Sequence, residues 1–320
     1  MKQKEILVFG ATGQIGRNLI RKLTKNNHKV IAVTRNIHQK GYILKTQANP
    51  GYLDIEELPS LKIDKIKSLI KNCSICINLI GILHENKKNN FDKIHSDLPS
   101  LLAHFSNQQK LEQFIHVSSL GVDNATDSKY AKSKLNGEIE VRKNFNRSII
   151  LKPSLIYSVD DNFTTNFMTL LNRLPVIPLY YEGKTKFTPI HVTDMVEIIF
   201  QIIQKEKTGE TIECIGPEVL SFKDIILKLL GSINKKRLLF PMPLTFAKMS
   251  TKILQLMPNP ILTFDQLNLL KYDNVVSGKY RTNFDLKIFA KKKFEKEIEK
   301  YSFNWRNGGQ FSSNNYLNNK

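Results

Sequence analysis

The chain has 320 residues, is 41 % hydrophobic and 24 % charged, and sets 48 Lys and Arg against 29 Asp and Glu for a formal net charge of +19. That length and apolar content suit one large α/β domain, or a large one with a smaller companion. They exclude collagen-like, disulfide-rich and wholly disordered classes. Three cysteines, Cys73, Cys76 and Cys214, fit a reducing compartment.

In chain order, "EILVFG" reads as a short apolar strand, "ATGQIG" as a turn and "RNLIRKLTKN" as a helix. "HKVIAVTR" is a second strand, and "YLDIEEL" contains a short third one. "IEELPSLKIDKIKSLIKN" is read as a helix, "SICINLIG" as a strand, "SDLPSLLAHFSNQQ" as a helix and "QFIHVSS" as a strand. "KYAKSKLNGEIEVRKNF" and "RSIILKPS" add one more helix and one more strand. Strand–helix alternation at this spacing predicts right-handed βαβ crossovers and a doubly wound, Rossmann-type parallel sheet, an α/β fold. The near-continuous apolar strands are those of a sheet covered on both faces.

After Ile156 prolines interrupt the pattern. One amphipathic helix, "HVTDMVEIIFQIIQ", and a late strand, "TIECIG", return to the sheet, and mostly helical segments follow. The expected division is a dinucleotide-binding domain over 1–156 with a return segment at about 190–215. A smaller, mostly helical C-terminal lobe takes 157–189 and 216–306, and a polar, mobile tail takes 307–320.

The turn "GATGQIG" follows the first strand and opens the first helix. Gly10, Gly13 and Gly16 permit a tight turn in which backbone N–H groups and a helix N-terminus face a pyrophosphate. An NAD site usually carries Asp or Glu about 20 residues further on, to hold the ribose 2′-hydroxyl. Thr34 and Arg35 stand there instead, and a guanidinium suits a 2′-phosphate, so NADP(H) is favoured over NAD(H). Asp54 is expected just past the third strand, against the adenine. Leu79, Ile80 and Gly81 after the fourth strand, Val117 ending the fifth and Pro153 ending the sixth complete the cofactor-facing set.

In "SKYAKSK", Tyr130 and Lys134 are four apart and share a helix face. That pair either moves a proton while hydride transfers, with Ser118 or Ser119 holding the substrate oxygen, or it only grips the nicotinamide ribose. The seven histidines have no metal spacing, and the lone CxxC of Cys73 and Cys76 lacks a second pair, so no metal site is expected. His116 reads as core, and His191 as the start of a helix at the lobe junction.

The strings "VFGATGQIGR", "NLIGILHE", "FIHVSSLGVD", "KYAKSKLNGE", "ILKPSLIY" and "FTPIHVTDM" resemble the atypical extended short-chain dehydrogenase/reductase superfamily. With the later "LTFDQLNLLKYDNVV", the chain is most similar to the NADPH-binding accessory subunit of respiratory complex I and its bacterial relatives. The resemblance implies a bound NADP(H) with a structural or assembly role on a proton-pumping NADH:quinone oxidoreductase, with Gly10, Thr12, Gly13, Gln14, Ile15 and Gly16 as the phosphate loop, Arg35 on the 2′-phosphate and Tyr130 and Lys134 on the ribose. Where many extended enzymes carry a Tyr-Gly pair after the serine strand, this chain has "GVDN", a departure that argues against a sugar-nucleotide substrate. An NADP-dependent reductase or epimerase acting on a small or lipophilic, quinone-related substrate is the alternative. A redox sensor is disfavoured by retention of the Tyr–Lys pair.

The positive charge admits nucleic acid, an anionic membrane surface or an acidic protein partner, although lysines scattered along the whole chain fit a compositional bias equally well. Basic–aromatic interleaving is missing, and nucleic acid is set aside. Segment 244–257, "LTFAKMSTKILQLM", has apolar residues at helical spacing and suits a membrane surface or a partner subunit. No stretch approaches the roughly 18 apolar residues of a spanning helix, and no signal segment is read. The resemblance implies a place on the cytoplasmic or matrix-equivalent side, peripheral on the inner membrane.

Overall fold

The computed structural model describes residues 3–86, 89–243 and 263–311. Segment 244–257 and the tail beyond residue 311 lie outside the described residues. The first half runs β1 (Glu5–Phe9), α1 (Gln14–Lys25), β2 (Lys29–Thr34), α2 (Ile37–Lys45), β3 (Leu53–Glu57), α3 (Ile63–Lys71) and β4 (Ile75–Asn78). A π-helical turn, Lys93–Asp97, leads into α4 (Leu98–Gln108), then β5 (Gln113–Val117), α5 (Lys129–Asn144) and β6 (Ile149–Pro153). Beyond these come β7 (Ile156–Tyr157), α6 (Thr164–Arg173), β8 (Val176–Leu179), β9 (Lys186–Phe187), β10 (Ile190–His191), α7 (Val192–Gln204) and β11 (Thr211–Cys214). The described chain continues with β12 (Leu220–Ser221), α8 (Phe222–Ser232), β13 (Leu238–Pro241), a helix at Phe264–Leu269, β14 (Arg281–Thr282) and a helix at Phe294–Ser302.

Eight strands form one parallel sheet in the order β14-β11-β6-β5-β4-β1-β2-β3. The order reverses between β1 and β4, and a doubly wound sheet opens its ligand crevice at the carboxyl ends of the strands there. Alternation divides each strand between two cores. Ile6, Val8, Ala32 and Ile77 face α1 and α7 with Leu19, Ile20, Leu23 and Ile199. Leu7, Phe9, Ile31 and Cys76 face the other layer with Ile66, Leu69, Leu98 and Leu102. Each Val, Leu, Ile or Phe side chain among them contributes about 1.5–3 kcal/mol on burial. The two layers hold β1 rigidly and place Gly10 and the start of α1 at the crevice.

A third core joins Tyr157, Met168, Leu171, Phe222, Ile225, Leu229, Phe294 and Ile298. It is bordered by two-stranded pairings, β7 with β10, β8 with β13 and β9 with β12.

Two sequence expectations about the fold need correction, and two helices go beyond them. The stretch read as one helix from Ile55 is divided: 55–57 pair with Ala32, Val33 and Thr34 inside β3, and α3 begins only at Ile63. As an edge strand with two consecutive glutamates, β3 has no apolar run to announce it. Helices α2 and α6 had no sequence reading. And β14, within the 216–306 stretch assigned to the small lobe, adds the eighth strand of the main sheet, with Leu286, Ile288 and Ala290 packed in the α1/α7 layer.

Candidate functional site

Gly10 has φ +79°, and a Cβ there would lie 3.0 Å from the Leu79 carbonyl carbon. At Gly16 a Cβ would lie 2.4 Å from the Gly10 oxygen and 2.6 Å from the Ala11 oxygen. The turn therefore tolerates no side chain at either position. Gly13 is the N-cap of α1, no side chain caps it, and the first turn has no acidic residue. Open N–H groups at a helix N-terminus beside the switch point fit a dinucleotide pyrophosphate. Thr12, Gln14 and Ile15 occupy the same turn. Gln14 Nε2 donates to Ser158 Oγ at 2.8 Å, and Arg17 pairs with Asp160, tying the helix to the segment after β7.

Arg35 is exposed immediately past β2, and Asn36 caps α2 by accepting from the Gln39 N–H at 3.0 Å. Asp54 is not past its strand. It is the second residue of β3, opposite Ile31, and lies about 10 Å short of the carboxyl edge at the usual rise per residue. The acidic group at that edge is Glu57, whose Oε1 accepts the Ile37 N–H at 3.0 Å.

Leu79, Ile80 and Gly81 leave β4 along the crevice. The Leu79 N–H bonds to the Phe9 oxygen at 3.0 Å, and the Ile80 N–H bonds to Asn78 Oδ1 at 3.1 Å. A Cβ at Gly81 would lie 3.3 Å from Lys134 Nζ and 3.8 Å from His95 Nε2, so the loop after β4 reaches the Tyr–Lys helix. Lys134 Nζ donates to the Val117 oxygen at 3.2 Å. The ammonium is buried, which brings its pKa down to about 8 against the opposing pull of Glu138. Pro153 ends β6, and its oxygen accepts the Leu120 N–H at 2.9 Å.

Tyr130 is partly buried on the same helix face. Burial pushes its phenol up to about 12; a hydrogen bond with Ser119 acts downward and the Asp265 charge acts upward. Ser119 is therefore the serine on the tyrosine. Ser118 turns away and donates to Glu138 at 2.5 Å, joining a buried cluster in which Lys152 Nζ lies 3.0 Å from Glu138 and 2.6 Å from Asp123.

Two contributors escaped sequence reasoning. His95, in the π-helical turn, stands edge-on to Tyr130 with ring centroids 5.2 Å apart, and Phe91 stacks on it at 5.4 Å. Its Nε2 accepts the Ile82 N–H at 3.1 Å and its Nδ1 meets Ser133 Oγ at 2.9 Å, an arrangement that assigns the proton to Nδ1. Burial and the nearby Lys134 lower it to about 3, so the imidazole is neutral. A histidine four residues after a phenylalanine was the only hint available. The second contributor, Asp265, comes from the far end of the chain and accepts from Ser128 Oγ at 2.8 Å and from the N–H groups of Lys129 at 2.7 Å and Tyr130 at 3.0 Å. His116 is buried in the core, as read, and bonds Asn78. His191 caps α7.

Fold and site together define an NAD(P)-binding Rossmann protein. Residues 6–215 match the model of the NAD dependent epimerase/dehydratase family, and the chain belongs to that family. It is 29 % identical over 272 residues to NADH dehydrogenase (ubiquinone) 1 alpha subcomplex subunit 9, mitochondrial, of Mus musculus, covering 84 % of this chain and 72 % of that one. It is 25 % identical over 283 residues to the NADH-ubiquinone oxidoreductase 40 kDa subunit of Neurospora crassa, covering 88 % and 74 %. A shorter match, 27 % over 191 residues and 59 % of this chain, is to a ceramide reductase of Caulobacter vibrioides. Among solved structures, dTDP-glucose 4,6-dehydratase from Streptomyces venezuelae, with NAD bound, superposes with a TM-score of 0.70 at 15 % identity over 94 % of this chain and 96 % of that one. At that identity the likeness is one of fold.

Proposed function

We propose that the chain holds NADP(H) as a largely structural cofactor and serves as an accessory or assembly subunit of respiratory complex I. The observation that carries this reading is the similarity to complex I subunits along 84 % and 88 % of the chain. The geometry supports a static role. Tyr130 is held as a neutral phenol, and Asp265 closes the end of its helix. In this reading the glycine turn carries the pyrophosphate, Arg35 the 2′-phosphate, and Tyr130 and Lys134 the ribose. Leu79, Ile80, Gly81, Val117 and Pro153 line the crevice. A bound cofactor would supply hydride chemistry; the chain's own groups bind it and exclude water.

Partners are complex I subunits or assembly intermediates, on the matrix-equivalent or cytoplasmic side of the inner membrane, with the net charge of +19 favouring an anionic membrane surface nearby. Among the described residues, no helix is long and apolar enough to cross a membrane.

One observation favours a second reading. Ser119 on Tyr130, with Lys134 brought to about 8, is a reductase or epimerase arrangement for a small or lipophilic substrate. The test is to denature the purified protein, identify the released nucleotide by chromatography, and follow reduced-nicotinamide absorbance while carbonyl and quinone substrates are added. A native gel of host membranes probed for the chain reports assembly. Retained, unreactive NADPH with migration at complex I supports the accessory role. Turnover abolished by Tyr130→Phe, with no complex I association, overturns it.

A further inference from the structure

The sequence expectation for the adenosine end rests on β2 alone: no acidic residue at its carboxyl end, Arg35 in its place, hence a 2′-phosphate. The fold adds a carboxylate from the neighbouring strand. Glu57 pairs with Thr34 in the β2–β3 ladder, and the next residue, Leu58, bonds the Thr34 oxygen at 2.8 Å. Glu57 Oε1 accepts the Ile37 N–H at 3.0 Å, the first N–H of α2 and two residues past Arg35. Helix N-termini attract anions. This one is already met by a carboxylate, in the turn where a 2′-phosphate would sit. A carboxylate at the ribose accepts hydrogen bonds from a free 2′-hydroxyl and repels a phosphate.

We infer that Glu57 is a specificity-determining residue of the dinucleotide site: it stands in from β3 for the acidic residue that β2 lacks, and it narrows the preference for a 2′-phosphate that Arg35 creates. The inference rests on the dinucleotide-holding reading above. Arg35 and Glu57 act as an opposed pair on one atom of the cofactor, so the chain binds both NADPH and NADH, with the phosphorylated form ahead by a small margin.

The experiment is calorimetric titration of the full chain, freed of nucleotide, with NADPH and NADH, and with 2′,5′-ADP and 5′-AMP as probes of the adenosine end alone. It is repeated on Glu57→Gln, Glu57→Lys and Arg35→Ala. Glu57→Gln is expected to raise the ratio of NADPH to NADH affinity roughly five- to tenfold, the scale of one charge interaction at a partly solvated site. Glu57→Lys should raise it further, and Arg35→Ala should lower it. The two mononucleotide probes should follow the same order. A ratio unmoved or lowered in both Glu57 variants, with wild-type binding intact, overturns this inference and leaves the holding function standing. A wild-type chain that binds neither dinucleotide overturns both.

Discussion

The carboxylate of Asp265 accepts the backbone N–H of Tyr130, 135 positions earlier in the chain, at 3.0 Å. It also takes the N–H of Lys129 and the hydroxyl of Ser128, while Ser128 itself caps Ala131 at 3.1 Å. One side chain thus satisfies the end of the helix that bears the Tyr–Lys pair and offsets its positive pole. Asp265→Ala should lower stability by about 1–3 kcal/mol in urea denaturation, the usual range for losing a cap that leaves partly buried donors unmet. Asp265→Asn, which keeps one acceptor, should lose less.

Lys134 contributes a pH dependence of definite sign. Its pKa is about 8 in the folded chain against 10.5 for the free side chain. Between those values the unfolded chain binds the proton and the folded chain does not, so stability rises with pH across the window and the penalty is complete below it. The gap corresponds to about 3 kcal/mol. Lys134→Met should therefore be more stable than wild type at neutral pH without bound nucleotide, and should lack the rise above pH 8. It should also bind NADPH more weakly, as titration on the same sample would report.

The glycine turn allows a sharper test. A methyl at Gly16 meets two backbone oxygens at 2.4 and 2.6 Å, and backbone cannot yield as a flexible side chain would. Gly16→Ala should push the first turn of α1 away from β1, lower the melting temperature and release the nucleotide during purification. A variant that keeps stoichiometric nucleotide would contradict the assignment of this turn as the pyrophosphate cradle.

The buried cluster behind Ser118 should respond asymmetrically. Lys152 is fully buried between Glu138 and Asp123. Burial acts to lower its pKa, but the two carboxylates outweigh that and leave it raised. Lys152→Met strands Glu138 in the interior and should cost about 3–5 kcal/mol. Lys152→Met combined with Glu138→Gln should recover part of the loss, because the more deeply buried carboxylate is neutralised and only Asp123, which is partly open to solvent, is left without its partner. Thermal unfolding of the three proteins in parallel measures the difference.

Much of the sheet was legible because its strands are short apolar runs between turn signals, and "GATGQIG" stood where a strand meets a helix. What failed did so for local reasons. β3 carries its charges on an edge, so a strand looked like the start of a helix and Asp54 was placed beyond its end. Ser118 and Ser119 could not be separated, because the chain leaves the strand at Val117 and side-chain alternation stops there. Nothing near Tyr130 in sequence points to Asp265. Glu57 enters the site only through the register of a neighbouring strand. His95 depends on a π-helical turn that no periodicity announces.

Asn274 belongs to the "DNVV" stretch and binds two loops and the strand β9 at once. It donates to the Leu120 oxygen at 2.6 Å, accepts from Ser154 Oγ at 2.6 Å, and its N–H meets the Lys186 oxygen at 2.7 Å. A ribosome delivers those loops long before it delivers their fastener. A nascent chain can therefore assemble the central strands while the front of the Tyr130 helix still lacks Asp265 and Asn274, and native contacts of such sequence separation close last. The order of synthesis therefore leaves the loops at Leu120 and Ser154 and the front of the Tyr130 helix unfastened until the last third of the chain has been made.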